Sequence, residues 1–155
     1  IYCKEHTKHT MPKKDTRFFN TGKVVIILAG RHAGQKAVVV KCSNEGDKDH
    51  KFNHVLVAGI ERAPRKVNKT MSKTKIAKRS KVKSFLKYIN ASHIMPTRYN
   101  ISVPKLSKLV TNEAMKTAES RKAAKTEVSN VFSTRYLARG KDTVGLRFFY
   151  QKLAF

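Results

Sequence analysis

The chain has 155 residues, of which 34 are Lys or Arg and only 10 are Asp or Glu, so its formal net charge is +24. A folded protein gains no stability from such an excess, because like charges repel one another in the compact state, whereas a polyanion such as nucleic acid would neutralise it. The longest apolar run has six residues, which excludes a membrane span of about 20, and two cysteines are too few for a disulfide framework.

Residues 1–21 are polar and basic and show no hydrophobic periodicity, which predicts an N-terminal arm rather than a packed element. The segment 11–14, with the sequence M-P-K-K, resembles a natural start. Residues 1–10 are therefore open to two interpretations. They are either genuine N-terminal residues or upstream sequence joined to the protein.

Two apolar runs, 24–29 and 37–40, are rich in β-branched residues and predict two strands. The polar connection between them contains Gly30 and Gly34, and glycine supplies the positive φ values that a tight turn needs. The pattern predicts a β-hairpin with two buried arms and a cationic tip. The tip side chains are Arg31, His32 and Lys36.

Three further apolar segments predict strands, namely 53–60, 82–89 and 93–103. Gly59 inside the first of them predicts a bulge or a close approach of neighbouring atoms. Pro96 restricts the last segment to an edge strand or a loop, because proline cannot donate to a central ladder. About five short strands between residues 23 and 103 predict a small SH3-like barrel, which leaves few exposed edges.

The hydrophobic period becomes helical after residue 111. Thr111 or Asn112 is the expected N-cap and Gly140 the expected C-terminal stop, while the weakly apolar stretch 121–125 leaves a break open. The last eight residues, 148–155, contain four aromatics, which must be buried against the barrel, the helix or a partner.

These patterns predict a mainly β fold with a C-terminal α-helical region. The predicted segments are an arm over 1–21, an SH3-like barrel over 22–103 with a basic insertion over 62–83, and a helical extension with an aromatic tail over 104–155.

The positive charge is concentrated in the centre of the chain. Residues 62–112 contain fourteen basic and no acidic side chains, whereas residues 22–61 contain six and four. A solvated surface or a localisation signal is the alternative to phosphate binding, but solvated faces usually mix signs of charge.

Residues 68–83 contain few apolar side chains, so burial cannot offset their ordering entropy. We expect them to order only against a partner, which favours a large structured RNA, with DNA as the second nucleic-acid candidate.

Catalysis is not indicated, because the sequence has neither a phosphate-binding loop ending in Lys-Ser/Thr nor a nucleophile elbow. Cys3, His6 and His9 share a three-residue spacing, but a structural zinc site needs four ligands and no fourth lies nearby. We therefore expect no enzyme activity, no cofactor and no metal.

The hairpin over 22–41 resembles a KOW motif, which occurs in ribosomal proteins and in some transcription factors. The segments that follow it are more specific, and they occur in the order HVLVAGIERAPRKV, KIAKRSKVKSF, HIMPTRY and FFYQKLAF. From about residue 11 to residue 155 the chain resembles the eukaryotic large-subunit ribosomal protein family numbered twenty-seven. Two departures are the low basicity of residues 113–126 and Ala154, which stands where a basic residue is expected.

The resemblance implies an SH3-like barrel with basic extensions that binds large-subunit ribosomal RNA and neighbouring ribosomal proteins in the cytoplasmic ribosome, after nucleolar passage during assembly. It implies a structural role, with no membrane and no homo-oligomer. The alternatives are a KOW-domain RNA-binding factor of transcription or RNA processing and, from another class, an RNA-modifying enzyme. The expected RNA contacts, including the hairpin tip, are Arg31, Lys36, Arg62, Arg65, Lys66, Lys69, Lys73, Lys75, Lys78, Arg79, Lys81, Lys83 and Arg98.

Overall fold

The computed structural model of the chain describes residues 19–43, 46–47, 50–102, 104–138 and 144–153. The strands are β1 (Lys23–Ile27), β2 (Lys36–Ser43), β3 (His54–Arg62), β4 (Lys83–Asn90) and β5 (Ile94–Asn100). The helices are α1 (Lys73–Ser80), α2 (Pro104–Leu109), α3 (Ala118–Leu137) and α4 (Val144–Tyr150), and 3-10 turns occupy Ala91–His93 and Glu113–Met115. Residues 1–18 of the predicted arm, the predicted stop at Gly140, Ala154 and Phe155 lie outside the described residues.

The five strands form one antiparallel sheet in the hydrogen-bonded order β4-β3-β2-β1-β5. Val24 of β1 lies opposite Val38 of β2, so the predicted hairpin is confirmed. Pro96 lies in β5, opposite Val25, at an outer position of the order. The predicted edge placement of this proline is therefore also confirmed.

Alternate residues along the strands face two separate apolar clusters, as the two-residue period of a strand requires. One cluster receives side chains from all five strands and forms the interior of the barrel. Its buried members are Val25, Ile27, Ala37, Val39, Val55, Val57, Phe85, Ile89 and Ile94.

The second cluster lies on the other face of the sheet, where the C-terminal helices cover it. The strands contribute Val24, Val38, Val40, Leu56, Ala58 and Ile60, and the helices contribute Leu106, Val128, Phe132, Leu146 and Phe149. The fold is thus a strand-rich SH3-like barrel with a helical C-terminal region, as the sequence predicts. No helix among the described residues has the length and apolarity that crossing a membrane requires.

The turn of the β1–β2 hairpin depends on glycine. Gly30 and Gly34 have φ values of 91° and 74°, which β-branched residues rarely adopt. The Gly34 amide donates to the carbonyl oxygen of Ile27 at 2.8 Å and so closes the hairpin. Both glycines therefore have the positive φ that the predicted turn requires.

Gly59 in β3 is required for a different reason, the close approach of a neighbouring ring. Phe85 lies directly opposite it on β4, and a Cβ at position 59 would lie 2.3 Å from the Phe85 Cζ. The predicted close approach is therefore confirmed, and it places the Phe85 ring against the backbone of β3.

The long C-terminal helix begins later than the sequence predicts. The side chain of Thr117, not of Thr111 or Asn112, caps α3 by accepting a hydrogen bond from the Ser120 amide at 3.2 Å. Thr111 instead accepts from the amide of Ala114, within a 3-10 turn that precedes the helix. The break left open at 121–125 is absent, since α3 runs continuously through this stretch.

The terminal aromatic segment forms α4, and its rings pack inside the chain. The hydroxyl of Tyr150 donates to the carbonyl oxygen of Phe132 at 2.8 Å, and the rings of Phe132 and Phe149 meet edge to face at 5.3 Å. Tyr99 of β5 packs on Phe148 with ring centroids 4.6 Å apart. Burial raises the pKa of Tyr150 to about 12. Of the alternatives considered, α4 therefore packs against both the barrel and α3.

Lys36 is the main correction at the hairpin tip, because it is buried rather than available to RNA. It is 6% exposed, and its Nζ donates to the carbonyl oxygens of Phe148 at 2.6 Å and Gln151 at 2.8 Å. The same ammonium lies 3.9 Å from the centroid of the Phe148 ring, and burial lowers its pKa. A helix leaves its last carbonyl groups unsatisfied, so this lysine of β2 caps α4. His32 is buried as well.

We predict that Gly34→Val lowers the free energy of unfolding by about 1–3 kcal/mol, because the side chain is forced into a strained backbone conformation. No atom lies within 4 Å of a Cβ at this position, so the destabilisation would come from φ and not from a clash. Gly34→Asn should be destabilised less, since Asn tolerates this conformation. Chemical unfolding of the purified chain measures both, and equal stability of the Val variant and the parent would contradict the account.

We predict that Lys36→Met lowers the free energy of unfolding by about 2–4 kcal/mol, because two carbonyl groups are deprived of a charged donor. Hydrogen exchange should be accelerated, relative to the parent, more for the amides of α4 than for the amides of β3. Arg31→Met is the matched control, since it removes the same charge from an exposed site on the same hairpin. Equal destabilisation by both substitutions would show that Lys36 contributes only through net charge.

Candidate nucleic-acid interface

Helix α1 is a cationic helix that contributes nothing to the apolar core. It contains Lys73, Lys75, Lys78 and Arg79, has no acidic residue in its first turn and buries no residue. This helix lies within the stretch 68–83, which is expected to order against a partner. Lys, Arg and Ala are good helix formers, and the sequence pattern missed the helix because it has no apolar face.

Two hydrogen bonds hold the end of α1 against the segment that follows β3. The Arg65 amide donates to the carbonyl oxygen of Arg79 at 2.9 Å, and the Arg79 Nε donates to the carbonyl oxygen of Lys66 at 3.0 Å. Arg79, predicted as an RNA contact, is therefore also the residue that positions α1. The other cations of α1 have no partner among the described residues.

A groove of about 970 Å³ runs beside this attachment point. Its walls come from three distant parts of the sequence. They are residues 33–36 at the hairpin tip, residues 60–66 at the end of β3 and beyond, and a C-terminal wall formed by Arg135, Tyr136, Leu146, Arg147 and residues 149–153.

The groove is strongly cationic. Apart from the buried Lys36, the positive side chains that line it are Arg62, Arg65, Lys66, Arg135, Arg147 and Lys152. Arg135 donates to the carbonyl oxygen of Ser102, which fixes its guanidinium at the groove wall. A guanidinium has five N–H donors, so this bond leaves Arg135 further donors.

Glu61 is the one acidic residue among those that line the groove, and its charge is compensated locally. Its carboxylate lies 3.0 Å from the Lys83 Nζ and 3.6 Å from the Lys125 Nζ. The hydrogen bond from Lys83, followed by the attraction of both lysines, lowers the pKa of Glu61. Lys83, predicted as an RNA contact, therefore also neutralises the carboxylate of Glu61 in the groove.

Some of the predicted RNA-contact residues lie together in the structure, and others lie apart. Arg62, Arg65 and Lys66 line the groove, and Lys73, Lys75, Lys78 and Arg79 lie on α1. Lys69 and Lys81 are exposed and flank α1 on either side. Arg98 is exposed on β5, where its guanidinium donates to the hydroxyl of Tyr99 at 3.2 Å. Arg31 is exposed at the hairpin tip and lies outside the groove lining.

Sequence reasoning missed the C-terminal wall. Arg135, Arg147 and Lys152 come from α3, α4 and the segment after α4, and each is isolated from other cations of the groove in the sequence. No local pattern marks them. The one available signal was the aromatic tail. Because its rings must be buried, the neighbouring cations Arg147 and Lys152 had to lie close to the barrel.

A metal centre finds no support in the part of the chain that the structure describes. No group of three or more His, Cys, Asp or Glu side chains in these ranges could hold a metal ion. The predicted spacing of Cys3, His6 and His9 lies outside the described residues.

Comparison with known proteins identifies the family of the chain. Residues 24–155 match the model of the Ribosomal L27e protein family. Two sequences of Candida albicans, one of them from strain SC5314, are both named large ribosomal subunit protein eL27. Each is 46% identical over 139 residues, which cover 90% of this chain and 98% of the relative. A family match over most of the chain and this level of identity lead to one conclusion: the chain belongs to the Ribosomal L27e protein family.

Proposed function

We propose that the chain is a structural constituent of the large ribosomal subunit and that it binds ribosomal RNA through α1 and the basic groove. Its family membership and the names of its relatives support the assignment to the large subunit. The positions of the cations support the proposed binding surface.

One observation carries the proposal: six accessible cations, three from residues 62–66 and three from the C-terminal wall, converge on one groove, and the single acid among the lining residues is already paired. Cations held together without counter-charges repel one another, so the arrangement is favourable only when an anion is bound. An RNA backbone supplies closely spaced phosphates, and each neutralised phosphate releases about 0.7–0.9 counterions. Arg also binds phosphate through two parallel hydrogen bonds.

Helix α1 extends this surface. An isolated helix of eight residues is marginal in water, and α1 has no buried side chain that would stabilise it by packing. Phosphates along its face would remove the repulsion between Lys73, Lys75 and Lys78. RNA binding would therefore stabilise the helix that supplies the contacts.

The proposed partners are large-subunit ribosomal RNA and neighbouring ribosomal proteins, and the proposed location is the cytoplasmic ribosome after nucleolar assembly. The role is structural, with no catalytic step. The alternative of a KOW-domain factor in transcription or RNA processing predicts transient RNA binding. Sedimentation separates the two, because a ribosomal constituent stays with the large subunit at moderate salt and a transient factor dissociates.

We predict that Lys75→Glu/Lys78→Glu reduces incorporation of the chain into large subunits, because it reverses two positive charges on α1. Arg79 is left intact, so the helix keeps its attachment. In filter binding with purified large-subunit RNA, the slope of log affinity against log salt should fall by about 0.7–0.9 for each phosphate that the variant no longer neutralises. Sucrose-gradient fractions of cells expressing the tagged variant measure incorporation.

The matched control is Lys105→Glu/Lys108→Glu on α2. It makes the same change in charge at the same three-residue spacing, on an exposed helical face outside the groove. The control should retain most of its incorporation. An equal decrease in both variants would show that total charge, rather than the α1 surface, determines assembly.

A further inference from the structure

A second cavity, of about 330 Å³, lies on the other side of the hairpin tip from the basic groove. The residues that line it are Ile27, Ala29, Gly30, His32, Phe52, Lys87, Tyr88, Ile89, Asn90 and His93. The lining combines an apolar floor and aromatic rings with one ammonium group and contains no acid. That combination differs from the groove, where two of the three walls are cationic.

Phe52 is the exposed aromatic of this cavity. It is 45% exposed, although described neighbours contact both its backbone and its ring. The buried His54 donates from Nδ1 to the carbonyl oxygen of Phe52 at 3.0 Å, and its Nε2 lies 3.5 Å from a carboxylate oxygen of Asp47. The rings of His50 and His54 lie 5.7 Å and 6.0 Å from the Phe52 ring. The phenyl ring is therefore positioned before any partner arrives.

A cationic and a polar side chain, Lys87 and Asn90, line the same cavity as the ring. The Lys87 Nζ lies beside Gly30, 3.8 Å from the position that a Cβ would occupy there. Neither Lys87 nor the exposed Arg31 has an ion-pair partner among the described residues. Asn90 uses its carbonyl oxygen to accept from the Ser92 amide, so its amide nitrogen stays available as a donor within the described part of the chain.

We propose that this cavity binds one unpaired nucleotide of RNA, with its base stacked on Phe52 and its phosphate paired with Lys87. Base-on-aromatic stacking does not depend on base identity, and a nearby cation completes a single-strand contact. The mouth of a barrel is also a common place for a ligand cavity. The inference rests on the proposed RNA binding, but it concerns a site that shares no lining residue with the groove.

An apolar side chain of a neighbouring protein is the competing occupant. The geometry favours the nucleotide, because an apolar occupant would remove water from Lys87 and Asn90, which line the cavity, without giving them a partner. Burying a charged or polar group without compensation is unfavourable. A phosphate and a base edge would satisfy these groups.

The chain contains no tryptophan, so Phe52→Trp introduces a single fluorescent reporter at the proposed stacking position. Addition of a single-stranded adenylate decamer to the full-length variant should quench its emission about twofold through stacking. An RNA hairpin duplex of equal phosphate number should bind but quench little. Phe52→Ala should weaken binding of the decamer about tenfold.

Met95→Trp is the matched control. Met95 is 51% exposed, and it faces the opposite side of β5 from Ile94, which belongs to the barrel interior. Its emission should change little. Equal quenching of both variants, or equal quenching of Phe52→Trp by duplex and single strand, would overturn the stacking site.

Failure of this inference is distinguishable from failure of the proposed function. If the Phe52→Trp variant binds the decamer, by fluorescence anisotropy of a labelled RNA, without quenching, the stacking site is wrong and RNA binding stands. If neither RNA binds at low salt, the proposed function itself fails. In purified large subunits, a photoreactive benzophenone side chain at position 52 should cross-link to RNA, and a cross-link to protein instead would assign the cavity to a protein neighbour.

Discussion

The sheet of this protein is apolar on both faces, and this constraint determines how the rest of the chain is arranged. The barrel interior satisfies one face by itself, because all five strands contribute to it. The other face would expose residues of β1, β2 and β3 to water if the C-terminal helices did not cover it. Removal of apolar area from water is worth about 25 cal/mol per Å², so helix docking is part of folding the barrel. The ammonium of Lys36 fixes α4 in this position.

The same constraint explains why the cations lie where they do. The strands supply the barrel interior, and the strands with α2–α4 supply most of the second cluster, so that of the segment between β3 and β4 only Ala63 and Val82 pack against the core. Val82, at the end of that segment, is fully buried and returns the chain to the sheet. Between Pro64 and Lys81 no residue is buried, so the chain lies on the surface there. Its cations can meet phosphates without any change in the packing of the barrel.

Strands and turns could be predicted from the sequence because their signals are local. Apolar runs between polar turns, which are rich in β-branched residues in β1 to β3, mark the five strands to within a few residues, and Gly30 and Gly34 mark the hairpin. The errors arose where tertiary structure decides. From the sequence Lys36 is an exposed tip cation, but α4 covers it in the fold. Thr117 rather than Thr111 caps the long helix, because a 3-10 turn lies between them. The groove could not be predicted, since Arg135 and Arg147 reach it only through the docking of α3 and α4.

The hairpin tip forms the wall between the groove and the second cavity. Residues 33–36 face the groove, whereas Ala29, Gly30 and His32 face the cavity. Contacts between Gly59, Phe85 and His32 hold the tip against the sheet. Because Gly59 has no side chain, the Phe85 ring can lie against β3, and His32 stacks on that ring at 4.0 Å with an interplanar angle of 5°. A single glycine in β3 thus sets the position of a wall that both proposed RNA contacts share, so a side chain at position 59 should disturb both at once.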